Sequence, residues 1–187
     1  MRIVSGTLRG RTLATPDDDA IRPTSDRVRE AIFNWLLHGD PVARINGGRV
    51  IDLFAGTGAM GIEALSRGAT FCLLVDDSAS ARGLIRRNIE AFGLTGVTKV
   101  WRRDATDLGD ATTMAPFDVA FLDPPYGKGL GEKALAALAA GGWLVTQALC
   151  VVEERKGVAI AVPDRYEVID QREWGDTHAV LLQFKGA

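Results

Sequence analysis

The chain has 187 residues, enough to bury a hydrophobic core without disulfides or metal, and we expect one compact domain. Hydrophobic residues make up 47% and charged residues 25%, as in ordinary globular proteins, while a net charge of −2 excludes a global positive field for nucleic acid. Two cysteines and two histidines scattered along the chain exclude the usual zinc patterns, so no metal is expected.

The N-terminal stretch "RIVSGTLRGRTL" predicts a small β-hairpin extension over residues 1–24. Residues 1–15 contain Arg2, Arg9 and Arg11 and no acid, so they form a local basic patch. The stretch lacks the apolar segment of a signal peptide, and the chain has no run of 18 apolar residues. We therefore expect a cytoplasmic protein without a membrane partner.

The segment "RPTSDRVREAIFNWLL" predicts the first helix. Pro23 breaks the chain, and Thr24 or Ser25 can cap the helix. Apolar residues then recur at helical spacing, and the helix opens the main domain, expected over residues 25–187.

Strands and helices alternate after residue 48. The strands are continuous apolar runs, which indicates a mostly parallel sheet covered by helices on both faces. Expected strands are Arg49–Phe54, Thr70–Val75, Val97–Arg102, Phe117–Leu122 and Ala148–Glu153, and expected helices are Ala59–Arg67, Ser78–Phe92, Ala105–Met114 and Leu130–Ala140. Two final strands, Tyr166–Trp174 and Thr177–Phe184, flank Gly-Asp and predict an antiparallel hairpin.

A glycine loop follows the first strand of this sheet. In "VIDLFAGTGAMG", Gly56, Gly58 and Gly61 form G-x-G-x-x-G between a strand and a helix, where glycine lets the backbone approach a ligand closely. Asp76 ends the next strand 20 residues after Gly56 (76 − 56) and can accept both hydroxyls of a ribose. The pattern indicates a cofactor that contains a nucleoside.

The acids near this loop favour S-adenosyl-L-methionine over a dinucleotide. Asp52 can neutralise the cationic part of S-adenosylmethionine. A dinucleotide-dependent dehydrogenase has less use for a carboxylate so close to the pyrophosphate of its cofactor. Asp104 either accepts from an adenine amine or caps the next helix. The candidate cofactor-binding residues are Asp52, Phe54, Gly56, Gly58, Asp76, Asp77, Asp104 and Ala105.

The sequence "FLDPPYGKG" ends the fourth strand in a rigid loop, because consecutive prolines remove two backbone donors. Asp123 and the carbonyl of Pro124, held outward by Pro125, can accept the two hydrogens of an exocyclic amine. Tyr126 offers a face on which a nucleobase can stack. An isolated Asp-Pro pair commonly opens a turn, but its place after D-x-F-x-G-x-G indicates an S-adenosylmethionine-dependent amino-methyltransferase, in which Asp123, Pro124, Pro125 and Tyr126 are catalytic.

These motifs, together with the "RPTSDRVREAIFNWL" and "WGDTHAVLLQF" segments, resemble the RsmD-type methyltransferases over nearly the whole length. That family modifies the N2 amine of guanine-966 in bacterial 16S ribosomal RNA. The resemblance implies a Rossmann-like class I methyltransferase with a seven-stranded, mostly parallel α/β sheet, acting as a monomer on the small ribosomal subunit or an assembly intermediate. It also implies RNA contacts from Arg9, Arg11, Arg22, Thr24 and Arg27.

Two positions depart from the family pattern. Asp76 stands where the family often has Glu, and Ser78 stands where Asp is frequent, so Asp77 could share the ribose with Asp76. Three other functions remain open from the residues alone. They are a methyltransferase for DNA adenine or protein glutamine, a dinucleotide-dependent oxidoreductase, and a non-catalytic RNA-binding module.

Overall fold

The computed structural model describes residues 1–16 and 25–187. Its helices are α1 (Asp26–His38), α2 (Ala59–Ser66), α3 (Ala79–Ala91) and α4 (Leu130–Ala140), with a short 3₁₀ turn at Thr95–Val97. Its strands are β1 (Arg49–Leu53), β2 (Phe71–Val75), β3 (Thr98–Trp101), β4 (Phe117–Leu122), β5 (Leu144–Arg155), β6 (Tyr166–Trp174) and β7 (Thr177–Phe184). No helix of these described residues is both long and apolar enough to cross a membrane.

The seven strands form one sheet in the order β3-β2-β1-β4-β5-β7-β6. Strands β1 to β5 pair in parallel, and β7 pairs antiparallel with both β5 and β6. The predicted α/β class, with a mostly parallel sheet and a closing antiparallel hairpin, is therefore confirmed.

The core lies on both faces of the sheet, as the continuous apolar strands indicate. One large cluster packs α4 and the 105–117 segment against one face, and a second packs α1, α2 and α3 against the other. Cys72 and Cys150 are buried, unpaired thiols within these clusters, and burial raises the pKa of each.

The helix predicted at Ala105–Met114 does not form. This segment consists of turns and irregular backbone, and Gly109 has a φ of +65°. Its polar backbone groups bond to the segment after α4 instead: Trp143 Nε1 donates to the Gly109 carbonyl at 2.8 Å, and Ala111 N donates to Gly141 O at 2.9 Å. Buried Leu108 anchors the segment, so tertiary contacts outweigh the local preference.

The N-terminal hairpin is also smaller than predicted. Within residues 1–16, one antiparallel bridge, Arg2 with Thr12, joins its two arms, and turns occupy most of residues 5–10. The turn between the arms also bonds to the end of α2, where Thr7 N donates to Ser66 O at 2.8 Å. Gly6 permits this approach, since a Cβ there would lie 1.8 Å from the Ser66 carbonyl oxygen.

A buried carboxylate, Glu63 on α2, links this N-terminal segment to α1. Its oxygens accept hydrogen bonds from the backbone nitrogens of Val4 and Ser5 at 2.9 and 3.0 Å. They also pair with Arg29 of α1 at 3.3 Å and with Arg67 at 3.0 Å. Arg29 and Glu63 are both fully buried, and Arg29 donates in addition to the carbonyl of Arg2.

The buried network predicts a large stability loss in Glu63→Gln, because Arg29 would lose its buried carboxylate partner and keep the ion pair with the more exposed Asp26. Breaking such a pair costs about 3–5 kcal/mol of unfolding free energy, which urea denaturation would measure. The matched control is Glu90→Gln on the exposed face of α3. Equal stability of the two variants would show that the network does not hold the N-terminal segment in place.

Candidate active site at the carboxyl edge of the sheet

The candidate site lies where the strand order reverses between β1 and β4. The chain runs outward from β1 through β2 to β3 and then returns to place β4 on the other side of β1. Loops that leave the carboxyl ends of β1 and β4 therefore diverge and leave a crevice, which is where open α/β sheets bind ligands. The glycine loop follows β1, and the Asp123 loop follows β4, as the sequence predicts.

The glycine loop turns sharply into α2. Gly58 is the residue that precedes α2, and it adopts left-handed backbone with a φ of +79°. Gly61 lets α2 lie directly on the sheet, because a Cβ at that position would be 2.6 Å from Cys72 Sγ and 3.2 Å from Asp52 Oδ2. The two glycines therefore have different roles, one in the turn and one in close helix packing.

Asp52 is buried beneath this loop, with 3% of its surface exposed. Its Oδ2 accepts a hydrogen bond from the backbone nitrogen of Gly61 at 2.9 Å. Burial raises the pKa of Asp52 well above its ordinary value, and the charges of Asp123 and Asp76 act in the same direction, against the Gly61 hydrogen bond. The carboxyl group thus lies in a low-dielectric position where a cation would be stabilised strongly.

Asp76 is tied to the same loop. Its Oδ2 accepts from Gly56 N at 2.9 Å, and its Oδ1 accepts from Ser78 N at 2.9 Å. Each carboxylate oxygen retains a further lone pair that could accept a ribose hydroxyl. The side chain of Asp77 is exposed by comparison.

Arg82 supports this strand end, a role that the sequence analysis did not identify. Its Nη1 donates to the carbonyls of Asp76 and Asp77 at 3.1 and 2.7 Å, and the side chain is buried. The position lies on the inner face of α3, where helical periodicity alone favours an apolar residue.

The loop has little capacity to hold a pyrophosphate. Gly56 N donates to Asp76, Gly58 N donates to the Ala55 carbonyl at 2.7 Å, and Gly61 N donates to Asp52. A dinucleotide site needs such amides for phosphate oxygens. In this loop, side-chain carboxylates and a backbone carbonyl already accept hydrogen bonds from these amides. The occupied amides and the nearby acidic side chains therefore fit a cofactor without phosphate.

The other predicted cofactor contacts follow β1 and β3 at the carboxyl edge of the sheet. Phe54 has a φ of +57°, an uncommon backbone conformation for a residue with a side chain, and it packs partly against the core. Asp104 is exposed and accepts from Thr106 N and Oγ1 at 2.8 and 2.7 Å, and these bonds lower its pKa. It therefore caps a turn rather than a helix, and Ala105 beside it is buried.

The Asp123 loop begins as soon as β4 ends at Leu122. Asp123 and Tyr126 are half-buried, Pro124 is buried and Pro125 is exposed. Gly131, in the first turn of α4, has Pro124 Cγ 3.6 Å from the position that a Cβ would take. The loop is thus packed between β4 and α4.

Two acids at the end of β5 flank this loop, and the sequence analysis assigned neither a role. Glu154 Oε1 accepts from Gly127 N at 3.0 Å and so holds the far end of the loop. Glu153 is 3% exposed, and burial raises its pKa well above the ordinary value, as do the charges of Asp123 and Asp52. Consecutive acids ending an apolar strand, "LCVVEE", were the available signal.

The predicted RNA-contacting residues differ in their surroundings. Arg9 and Arg27 are exposed. The guanidinium of Arg11 lies 4.4 Å from the centre of the Phe92 ring, and its Nη2 donates to the Ala91 carbonyl at 2.6 Å, so Arg11 attaches the N-terminal segment to the end of α3. Arg22 and Thr24 lie outside the described residues. Across the described ranges, no group of three or more metal-ligating side chains is present.

Comparison with known proteins agrees with this geometry. The family model described as "Conserved hypothetical protein 95" matches residues 1–183. Ribosomal RNA small subunit methyltransferase D of Haemophilus influenzae is 32% identical over 185 residues, covering 98% of this chain and 93% of that protein. The protein of the same name from Escherichia coli K12 is 40% identical over 154 residues, covering 82% and 74% of the two chains.

A solved structure extends the likeness to the fold. The protein yhhF of Escherichia coli superimposes with a TM-score of 0.83 at 31% identity, covering 100% of this chain and 99% of that one. Sequence and structure therefore match over the whole length. The chain belongs to the RsmD family of methyltransferases, the family that the conserved hypothetical protein 95 model describes.

Proposed function

We propose that this protein transfers a methyl group from S-adenosylmethionine to the exocyclic N2 amine of a guanine in 16S ribosomal RNA, of the guanine-966 type. The observation that carries the proposal is the position of the Asp123 loop, at the carboxyl end of β4 and directly beside the glycine loop of β1. Methyl transfer to ribosomal RNA follows from the family, since its curated members are named for that activity. The choice of amine and nucleotide is the finer part of the proposal.

The cofactor is S-adenosylmethionine, which supplies a methyl group already activated on a sulfonium. Asp76 would hold the ribose, with Asp77 beside it, and Asp104 and Ala105 would contact the adenine. Buried Asp52 lies under the glycine loop, where the cationic part of the ligand would stabilise its ionised form. The occupied loop amides support this cofactor over a dinucleotide.

The Asp123 loop would orient the amine. An exocyclic amine is a weak nucleophile because its lone pair is delocalised into the ring. If Asp123 and the Pro124 carbonyl accept its two hydrogens, the nitrogen moves toward tetrahedral geometry and its lone pair points at the methyl group. Catalysis is then mainly positioning, and the proton becomes acidic only as the new bond forms.

The base itself must leave its stack to reach this loop. Tyr126 is half-buried at the crevice and offers the ring on which a displaced guanine would stack. Exposed Arg9 and Arg27 are suited to phosphate contacts, which position RNA without reading its sequence. We assign this contact to the extension over residues 1–24 and to Arg27 at the start of the domain over 25–187, with Arg22 and Thr24 retained as candidates.

The direct test is transfer of labelled methyl from S-adenosylmethionine to small ribosomal subunits that lack this modification. We expect label in N2-methylguanosine at one mapped position. Naked 16S RNA is the parallel substrate and distinguishes the free RNA from the assembled subunit. Label in another nucleoside would overturn the guanine assignment, and binding of the cofactor without transfer to RNA would overturn the proposal.

Cofactor binding should depend on Asp76 more than on Asp77. The carboxylate of Asp76 accepts hydrogen bonds from two backbone amides and, in the proposal, from the ribose hydroxyls. Asp76→Asn replaces one acceptor oxygen with a donor, so we expect affinity for S-adenosylmethionine to fall about 10- to 100-fold. The matched variant Asp77→Asn changes an exposed side chain and should alter affinity less. Titration calorimetry measures both, and a larger loss in the Asp77 variant would reverse the assignment.

Turnover should depend on Asp123. Asp123→Asn keeps the size of the side chain but replaces one of its acceptor oxygens with a donor, so the amine is no longer oriented. We expect kcat to fall by at least about 100-fold while affinity for RNA stays within about twofold. Asp164→Asn, the same change at an exposed residue, is the control. Single-turnover methyl transfer at the normal rate would remove Asp123 from the mechanism.

A further inference from the structure

Glu153 lies beside Asp123 at the carboxyl edge of the sheet. β4 and β5 pair in parallel, with Phe121 opposite Val151 and Leu122 opposite Val152. The next position along this register brings Asp123 opposite Glu153. Neighbouring strands lie about 4.8 Å apart, so side chains at opposed positions are close enough to interact.

The two acids also lie on the same face of the sheet. Side chains alternate along a strand, and the residues two positions before these acids are both buried in the cluster beneath α1, α2 and α3. Asp52 of β1 is on that face too, because Val50 belongs to the same cluster. Three neighbouring strands, β1, β4 and β5, therefore each place one acid on this face: Asp52, Asp123 and Glu153.

The surroundings of Glu153 favour the neutral form of its carboxyl group. Its Oε2 is buried and has no hydrogen-bond partner within the residues that the structure describes. The neighbouring position on β7 is Ala179, which brings no charge, and the acids on β4 and β1 raise the pKa of Glu153, as does its burial. A buried neutral carboxyl is a hydrogen-bond donor that needs an acceptor.

We propose that Glu153 is a positioning residue for methyl transfer, whose carboxyl group donates a hydrogen bond to Asp123 when the substrate amine is bound. One oxygen of Asp123 is then fixed by Glu153, and the other accepts from the amine. Glu154, on the opposite face of β5, holds Gly127 at the other end of the loop. The end of β5 thus orients the Asp123 loop from both faces of the sheet. The role of Glu153 rests on the proposed function.

Two substitutions separate this role from simple core packing. Glu153→Gln keeps a neutral side chain that can donate to Asp123, whereas Glu153→Leu has similar volume and no donor. We expect Glu153→Gln to retain kcat within about threefold and Glu153→Leu to lose about 10- to 100-fold, the loss expected for one hydrogen bond to a charged group. The dissociation constant for S-adenosylmethionine should stay unchanged in both.

Folding is checked independently by thermal unfolding. Replacing a buried acid with an apolar residue of similar volume is often neutral for stability, so the Leu variant should fold. If it does not, Glu153→Met is compared with Glu153→Gln in the same assay. Glu167→Leu, at an exposed position of β6, is the control for the substitution itself.

The outcomes distinguish this inference from the proposed function. Normal kcat in Glu153→Leu, with active wild-type protein, would overturn the role of Glu153 and leave the proposed function intact. Equal loss in the Gln and Leu variants would also overturn it, because rescue by the neutral donor is its signature. Wild-type protein that binds S-adenosylmethionine but methylates no RNA would overturn the proposed function and this inference with it.

Discussion

β4 follows β3 in the chain but pairs with β1, and this crossover creates the crevice on which the candidate site depends. Without it, the glycine loop and the Asp123 loop would leave the sheet at distant strands. With it, the two motifs, which are separated by more than sixty residues in sequence, share one edge. The long apolar strands and their helices thus serve to align two short loops.

Acidic side chains define the chemistry of this edge. Asp52 accepts a hydrogen bond from α2 near its amino end, the kind of position that binds phosphate in dinucleotide-binding proteins. A carboxyl group of the protein at this position disfavours the binding of an anion and favours a cationic ligand. Asp123 and Glu153 extend the acidic row across two further strands, toward the place where the substrate amine would be held.

The sequence predicted most of this arrangement because its signals are local. Strand-ending acids, the spaced glycines and the two prolines after Asp123 each restrict the backbone on their own, and parallel strands bring their ends together. The prediction of a helix at Ala105–Met114 was wrong, because tertiary hydrogen bonds to Gly141 and Trp143 determine the backbone conformation of that segment. The sequence alone predicted no role for Arg82, Glu153 or Glu154, because their partners are defined only by packing or by strand register.

We expect one crevice, between the loops after β1 and β4, to hold the cofactor next to the Asp123 loop. A crystal structure with S-adenosylhomocysteine, the product of methyl transfer, tests this most directly. We predict that its ribose contacts Asp76, and that its sulfur faces Asp123 across a gap that accommodates the base. Density for the ligand elsewhere, or with the sulfur directed away from Asp123, would contradict the account.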